Sequence, residues 1–187
     1  MLQPYLRAFR DDTASPDVDL VIDNNPSIAR QLTIGELDMA IMEWWQPKPG
    51  FLAQDWRQEQ MVLIVPPDHP CADLQCIDRD TLAEMTLLGG EPGTGTGRLL
   101  ANFFGDEGPF PKVSMQLGST EAVKQAVKAG LGISLVLEAT VREEVRAGSL
   151  HAIPVSNPGL AKELMVVYPN ALANHPPVSS FLSHLCH

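Results

Sequence analysis

Met85-Thr86-Leu87-Leu88-Gly89-Gly90-Glu91-Pro92-Gly93-Thr94-Gly95-Thr96-Gly97-Arg98 leads from a short apolar run through a glycine-rich loop into a helix-like pattern at Leu99 to Phe104. Apolar run, loop and helix in that order make a strand-loop-helix unit of an α/β fold. Glycines let the main chain approach a ligand closely, two threonine hydroxyls can donate hydrogen bonds, and a helix start offers unpaired N–H groups with a favourable dipole. No Lys-Ser/Thr pair follows the last glycine, so this is not a nucleotide-hydrolase phosphate loop, and the G-x-G-x-G spacing is not the dinucleotide fingerprint. Two readings stand: an anion cradle, or a turn that joins strand to helix.

Outward from this loop the apolar spacing keeps switching between a helical period and alternating or continuous runs, the pattern of alternating helices and strands. Upstream, Leu2, Tyr5, Leu6 and Phe9 share one helical face, and Val18 to Ile22 reads as a strand. Asn25-Pro26 opens a helix carrying Ile28 and Leu32 that Gly35 ends, and Leu37 to Met42 is the next strand. Met61 to Val65 is a strand stopped by Pro66-Pro67, and the first lobe boundary is expected there. A short helix around Thr81 to Glu84 precedes the loop. Downstream come a strand at Val113 to Leu117, a helix at Glu121 to Ala129 and a buried strand at Ile133 to Leu137. A helix marked by Val141 and Val145, a strand at Leu150 to Ile153, and a turn at Asn157-Pro158-Gly159 follow. Leu164 to Tyr168 is a strong strand, and Val178, Phe181, Leu182 and Leu185 give a final amphipathic helix.

With 187 residues, 44% of them hydrophobic, the chain can fill one large domain or two small lobes. A net charge of -10 and scattered lysines and arginines speak against a direct grip on nucleic acid. No apolar run approaches a membrane span, and Met1 to Arg7 lacks the apolar core of a signal peptide, so a soluble cytoplasmic protein with no membrane partner is expected. Cys71, Cys76 and Cys186 match no paired pattern and read as reduced thiols.

In open α/β sheets, ligands sit at the carboxyl ends of strands near the point where strand order reverses. Asn24-Asn25, Glu43-Trp44-Trp45, Gly90 to Thr96, and Gly118-Ser119-Thr120 all fall at predicted strand ends. Converging, they would make a polar pocket rich in hydroxyl and backbone donors, suited to a small anionic metabolite. Glu43 and Glu91 could pair as catalytic carboxylates, but nothing in their spacing demands it. His175, His184, Cys186 and His187 are acceptable zinc ligands, yet a frayed terminus explains them as well. Ser119 lacks a nucleophile-elbow context and His69 sits among prolines. Trp44 and Trp45 suit a pocket wall, a subunit interface or the core.

The ordered set Phe9, Pro16-Asp17-Val18, Gly35-Glu36-Leu37-Asp38-Met39-Ala40, His69-Pro70, Glu91 to Thr96, Gly118 to Val127 and Gly130-Leu131-Gly132-Ile133 resembles the effector-binding domain of LysR-type transcriptional regulators over nearly the whole chain. The glycine loop with Lys124-Gln125-Ala126-Val127 is most similar to the branch containing the regulators of carbon fixation and sulfur assimilation. The resemblance implies an α/β fold of two Rossmann-like lobes, type II periplasmic-binding-protein-like. Residues 1–68 and 164–187 would form the first lobe and 69–163 the second. It also implies an effector between the lobes, held by hydroxyls and main-chain N–H groups. Thr94, Gly95 and Thr96 carry over directly, Ser119 and Thr120 follow, and Asn24, Asn25, Glu43 and Arg98 complete the expected effector-binding set.

Further implications are a homodimer, a tetramer in the full-length protein, and DNA contact only through a winged helix-turn-helix domain that this chain lacks. No cofactor, metal or catalytic residue is expected. Two departures stand out. Gly90 and Gly97 occupy positions where that branch usually has arginine, and the chain begins in the first helix, where the family domain normally opens with a strand and a Ser/Thr turn. Rival readings are a solute-binding protein of a transport system and an enzyme handling a phosphate ester.

Overall fold

A computed structural model describes residues 2–12, 17–105, 108–156 and 159–185. In chain order the helices and strands are α1 (Gln3–Asp12), α2 (Asn25–Thr33), β1 (Ala40–Met42), β2 (Phe51–Val65), α3 (Arg79–Glu84), β3 (Thr86–Leu88) and α4 (Gly95–Phe104), then β4 (Lys112–Met115), α5 (Thr120–Lys128), β5 (Ser134–Leu137), α6 (Arg142–Arg146), β6 (His151–Pro154), β7 (Ala161–Pro169) and α7 (Pro176–Leu185). They form two compact units, Met1–Gln58 with Glu163–His187, and Glu59–Lys162.

In the first unit the amphipathic face of α1 presses Phe9 against Phe181 of α7, with ring centroids 5.3 Å apart, and both meet Val166 and Tyr168 of β7. β1 pairs antiparallel with β7, Ala40 lying opposite Val167. Ile28 and Leu32 of α2 pack onto Ala40, Met42 and Val167. The helix starts where the sequence predicts, because the Asn24 side chain accepts from the Ser27 N–H at 2.9 Å and caps it.

In the second unit the end of β2 lies between two antiparallel partners, Val62 facing Val136 of β5 on one side and Pro154 of β6 on the other. Its alternate side chains feed two cores. Met61, Leu63 and Val65 join Leu82, Leu87, Leu100 and Phe104, while Val62 and Ile64 join Leu88, Val123, Val127 and Val141. A strand covered on both faces must be apolar at every position, which explains the unbroken run at 61–65. β3 pairs parallel with β4, and a parallel bridge from Leu87 to Ile133 puts the start of β5 on its other side.

Three expectations fail. Val18–Ile22 forms no strand: among the described residues no ladder includes it, and Ile22 is 86% exposed. β-branched composition marks a segment that can pair, but a strand exists only where a neighbour supplies hydrogen bonds. The first crossing between units lies at Gln58/Glu59 rather than near Pro66 to Pro70, because pairing with β5 and β6 draws residues 59–68 into the second unit. Strand β2 also begins ten residues before Met61, through a mixed stretch in which Leu52 to Asp55 are exposed and Glu59 is buried. The turn at Asn157-Pro158 lies outside the described residues, as do Cys186 and His187.

Candidate functional site

The glycine loop occupies a defined place in the second unit. β3 comes first in the chain yet lies between β4 and the start of β5, so the chain leaves it to one side through α4 and returns on the other through α5. That is a switch in strand order, and the crevice beyond the carboxyl end of such a strand is where α/β sheets bind ligands. Residues 89–94 leave β3 there. Since β3 and β4 are parallel, the starts of α4 and α5 lie at the same end of the sheet.

Glycine is required at both positions where the resembling branch carries arginine. Gly90 has φ +81°, a backbone conformation that side chains disfavour. At Gly97 a Cβ would fall 2.1 Å from the Glu91 carbonyl oxygen, so the loop closes on α4 only without a side chain. Thr94 fastens this closure: its hydroxyl donates to the Glu91 carbonyl at 2.7 Å and accepts from the Gly97 N–H at 3.0 Å. Thr94 is therefore the helix cap. The N–H groups of Gly95 and Thr96 and the half-buried Thr96 hydroxyl have no hydrogen-bond partner among the described residues. Arg98, next along α4, is exposed.

The other two helix starts already hold negative charge. Ser119 caps α5 by accepting from the Ala122 N–H at 3.2 Å, with Thr120 exposed beside it. Glu121 stands in that helix's first turn, its carboxyl held below the ordinary range chiefly by the Lys124 ammonium. At α2 the Asp23 carboxylate accepts from the Ser27 hydroxyl at 2.5 Å and the Asn24 N–H at 2.7 Å, and these bonds, Ser27 first, lower its pKa. α4 has no acidic residue in its first turn. Of the three, its dipole is the one left open to an anion.

Asn25 and Glu43 are brought together within the first unit, in a structural bond. The Asn25 side chain accepts from the Glu43 N–H at 3.0 Å and donates to the Trp44 carbonyl at 2.9 Å, latching the chain that leaves β1 onto the start of α2. Trp45 packs on Phe51, ring centroids 5.4 Å apart, within the core around Leu32. Glu91 has a part that its sequence pattern does not reveal: Oε2 is buried without a hydrogen-bond partner, 4.0 Å from where a Cβ on Gly89 would lie. The loop thus combines open donors with one unsatisfied acceptor. Among the described residues, no three His, Cys, Asp or Glu side chains cluster as metal ligands.

A switch-point loop with open main-chain donors is the arrangement with which α/β ligand-binding domains hold their ligands. The chain belongs to the LysR substrate binding domain family, whose model matches residues 1–186. A relative from Stutzerimonas stutzeri, provisionally named HTH-type transcriptional regulator protein PtxE, is 52% identical over 98 residues, 51% of this chain and 50% of its own. The CbbR transcriptional regulator of Xanthobacter flavus is 33% identical over 168 residues, 87% of this chain and 49% of its own. The chain thus spans about half the length of these curated relatives. Among solved structures, the CcmR regulatory domain of Synechocystis PCC6803 in complex with 2-PG superposes with a TM-score of 0.85 at 24% identity, over 99% of this chain and 89% of that one. The BenM effector binding domain with benzoate gives 0.82 at 19%, over 99% and 84%. The fold is the two-lobed, type II periplasmic-binding-protein-like α/β fold of these domains. The solute-binding and phosphate-ester readings draw no support from these matches.

Proposed function

We propose that this chain is the effector-sensing part of a transcriptional regulator, and that a small anionic effector seats its charged group on the N–H groups of Gly95 and Thr96 and the Thr96 hydroxyl. The observation that carries this reading is the open start of α4 at the strand-order switch, set against the starts of α2 and α5, which carboxylates already serve. Solved relatives that hold 2-PG, shikimate and benzoate support a small acidic ligand. The unsatisfied Glu91 Oε2 adds a requirement, because a buried acceptor rewards a ligand that brings it a donor. The effector therefore carries a hydroxyl or N–H group beside its anionic one. Arg98 and Thr120 line the approach, and Asn24, Asn25, Thr94 and Ser119 act by holding helix starts and loops in place. The domain acts in the cytoplasm as a homodimer, performs no catalysis, and reaches DNA through a domain outside this chain.

The test is calorimetric titration with sulfate, phosphorylated sugars and small hydroxy-carboxylates. Thr96→Val should weaken the best ligand roughly tenfold while leaving Tm nearly unchanged, since a loop hydroxyl contributes about 1 kcal/mol or slightly more. Glu91→Gln should weaken hydroxylated acids more than their deoxy analogues. Unchanged affinity in Thr96→Val would remove this loop from the site, and turnover of any ligand would overturn the non-catalytic reading.

A further inference from the structure

Helix α4, whose start carries the proposed effector donors, is held at its other end by a residue from a different element. The last turn of a helix leaves carbonyls without intrahelical partners and favours positive charge. α2, α5 and α6 each supply that charge themselves, with Arg30, Lys128 and Arg146 in their last turns. α4 has no basic residue there. Arg79, the first residue of α3, takes the place instead. Its Nη2 donates to the carbonyl of Phe104, the last residue of α4, at 2.8 Å, and its guanidinium lies over the Phe104 ring, 5.2 Å from the centroid. One planar group thus holds both the main chain and the ring of a single residue.

Both sides of this contact are anchored. Two residues before Arg79, the Ile77 N–H donates to the Pro154 carbonyl at 2.9 Å, and the Ile77 carbonyl accepts from the Ser156 N–H at 2.7 Å. The Asp78 carboxylate accepts from the Thr81 N–H at 2.7 Å and fixes the first turn of α3. On the other side Phe104 is 4% exposed, in the core with Leu82, Leu87 and Leu100. Arg79 therefore ties the end of α4 to the strand pairing at β6. A ten-residue helix moves as a rod of about 15 Å, so what fixes Phe104 also fixes Gly95 and Thr96. Over that length salt and water screen the guanidinium charge, which leaves position, rather than attraction, as its means of acting on a bound anion.

We propose that Arg79 is a positioning residue for the effector, setting from the far end of α4 where the N–H groups of Gly95 and Thr96 stand. The inference rests on the reading that these two groups hold the anion. Arg79 is itself exposed, so its replacement opens no cavity.

The experiment is an NMR titration with sodium sulfate, followed at the Gly95 and Thr96 amides and run well below the Tm of every variant, so that a change in stability alone leaves the Kd unmoved. Arg79→Met should raise the sulfate Kd roughly threefold. Arg79→Lys keeps the charge without the flat, stacking fork and should recover only a minor part of the loss. Arg142→Met, which removes the same charge from the start of α6, should bind as the parent does. Added sodium chloride should weaken all the chains alike and preserve the ratio between Arg79→Met and parent, because screening removes a through-space attraction but not a displacement. Parent affinity in Arg79→Met, full recovery in Arg79→Lys, an equal loss in Arg142→Met or a ratio that vanishes in salt would each overturn the positioning role and leave the site standing. No sulfate-dependent shift at Gly95 and Thr96 in the parent would remove the site itself, and the role with it.

Discussion

At the residue scale, the loop beyond β3 is held by groups that sequence patterns count as ligand donors. Thr94 closes the loop as a cap, and Asn25 replaces a main-chain partner for Glu43 and Trp44. Asn25→Ala should cost on the order of 2 kcal/mol in urea unfolding, since two half-buried hydrogen bonds are lost together. Gly97→Ala should cost about 1–3 kcal/mol and abolish effector binding, because the added methyl meets the Glu91 carbonyl. Gly118→Ala, with nothing within 4 Å of its Cβ and no positive φ, should stay within about 0.5 kcal/mol of the parent. Similar losses in the two glycine variants would contradict the tight closure at Gly97.

At the scale of elements, α5 is tied to α6 by charge. The Lys124 ammonium lies 2.8 Å from Glu144 Oε1 and 2.9 Å from Glu121 Oε2, and donates to the Thr140 carbonyl at 3.2 Å. Both carboxyls are held below their ordinary 4.5, first of all by Lys124, and Lys124 is raised above 10.5, first by Glu121 and then by Glu144. Lowered carboxylates add stability that is complete above pH 4.5 and lost as pH falls through their folded values. A raised ammonium adds stability that is complete below 10.5 and lost as pH climbs through its folded value. Glu144→Gln should therefore cost on the order of 1 kcal/mol at neutral pH and flatten the acid limb of a stability-pH curve. An unaltered acid limb would show the pair to be idle.

The same scale explains what could be read from the sequence. Elements with a clear period were legible: α4 and α5 carry helical stripes, and 61–65 is apolar throughout because both its faces are covered. Val18–Ile22 was not, since its strand character depends on a partner rather than on its own residues. The first part of β2, 51–60, was missed for the converse reason, being a strand of mixed composition whose side chains are mostly not buried. In the candidate site the glycine loop was visible as a motif. Asn25 reaching across eighteen residues, and Glu91 turning an oxygen inward, were not.

For the molecule as a whole, the two chain crossings fall close together in the fold, since the Met61 N–H donates to the Leu160 carbonyl at 2.7 Å. Residues 59–162 thus begin and end side by side and contain both cores of their unit. Expressed alone, this piece should give one cooperative urea transition and keep the far-UV signal of mixed helix and strand, while Leu63→Ala within it should cost about 2–5 kcal/mol. A broad, non-cooperative transition would show that the second unit depends on the first. The loop of the proposed site has a different consequence at this scale. Its donors, its cap and its inward carboxylate all come from one uninterrupted stretch, residues 89–98, closed on itself by the two bonds of the Thr94 hydroxyl. On the proposed site, a short cassette of coding sequence should be exchangeable as a block, altering what is sensed while the surrounding architecture is inherited unchanged; a swap of this stretch that leaves ligand preference unaltered would count against it.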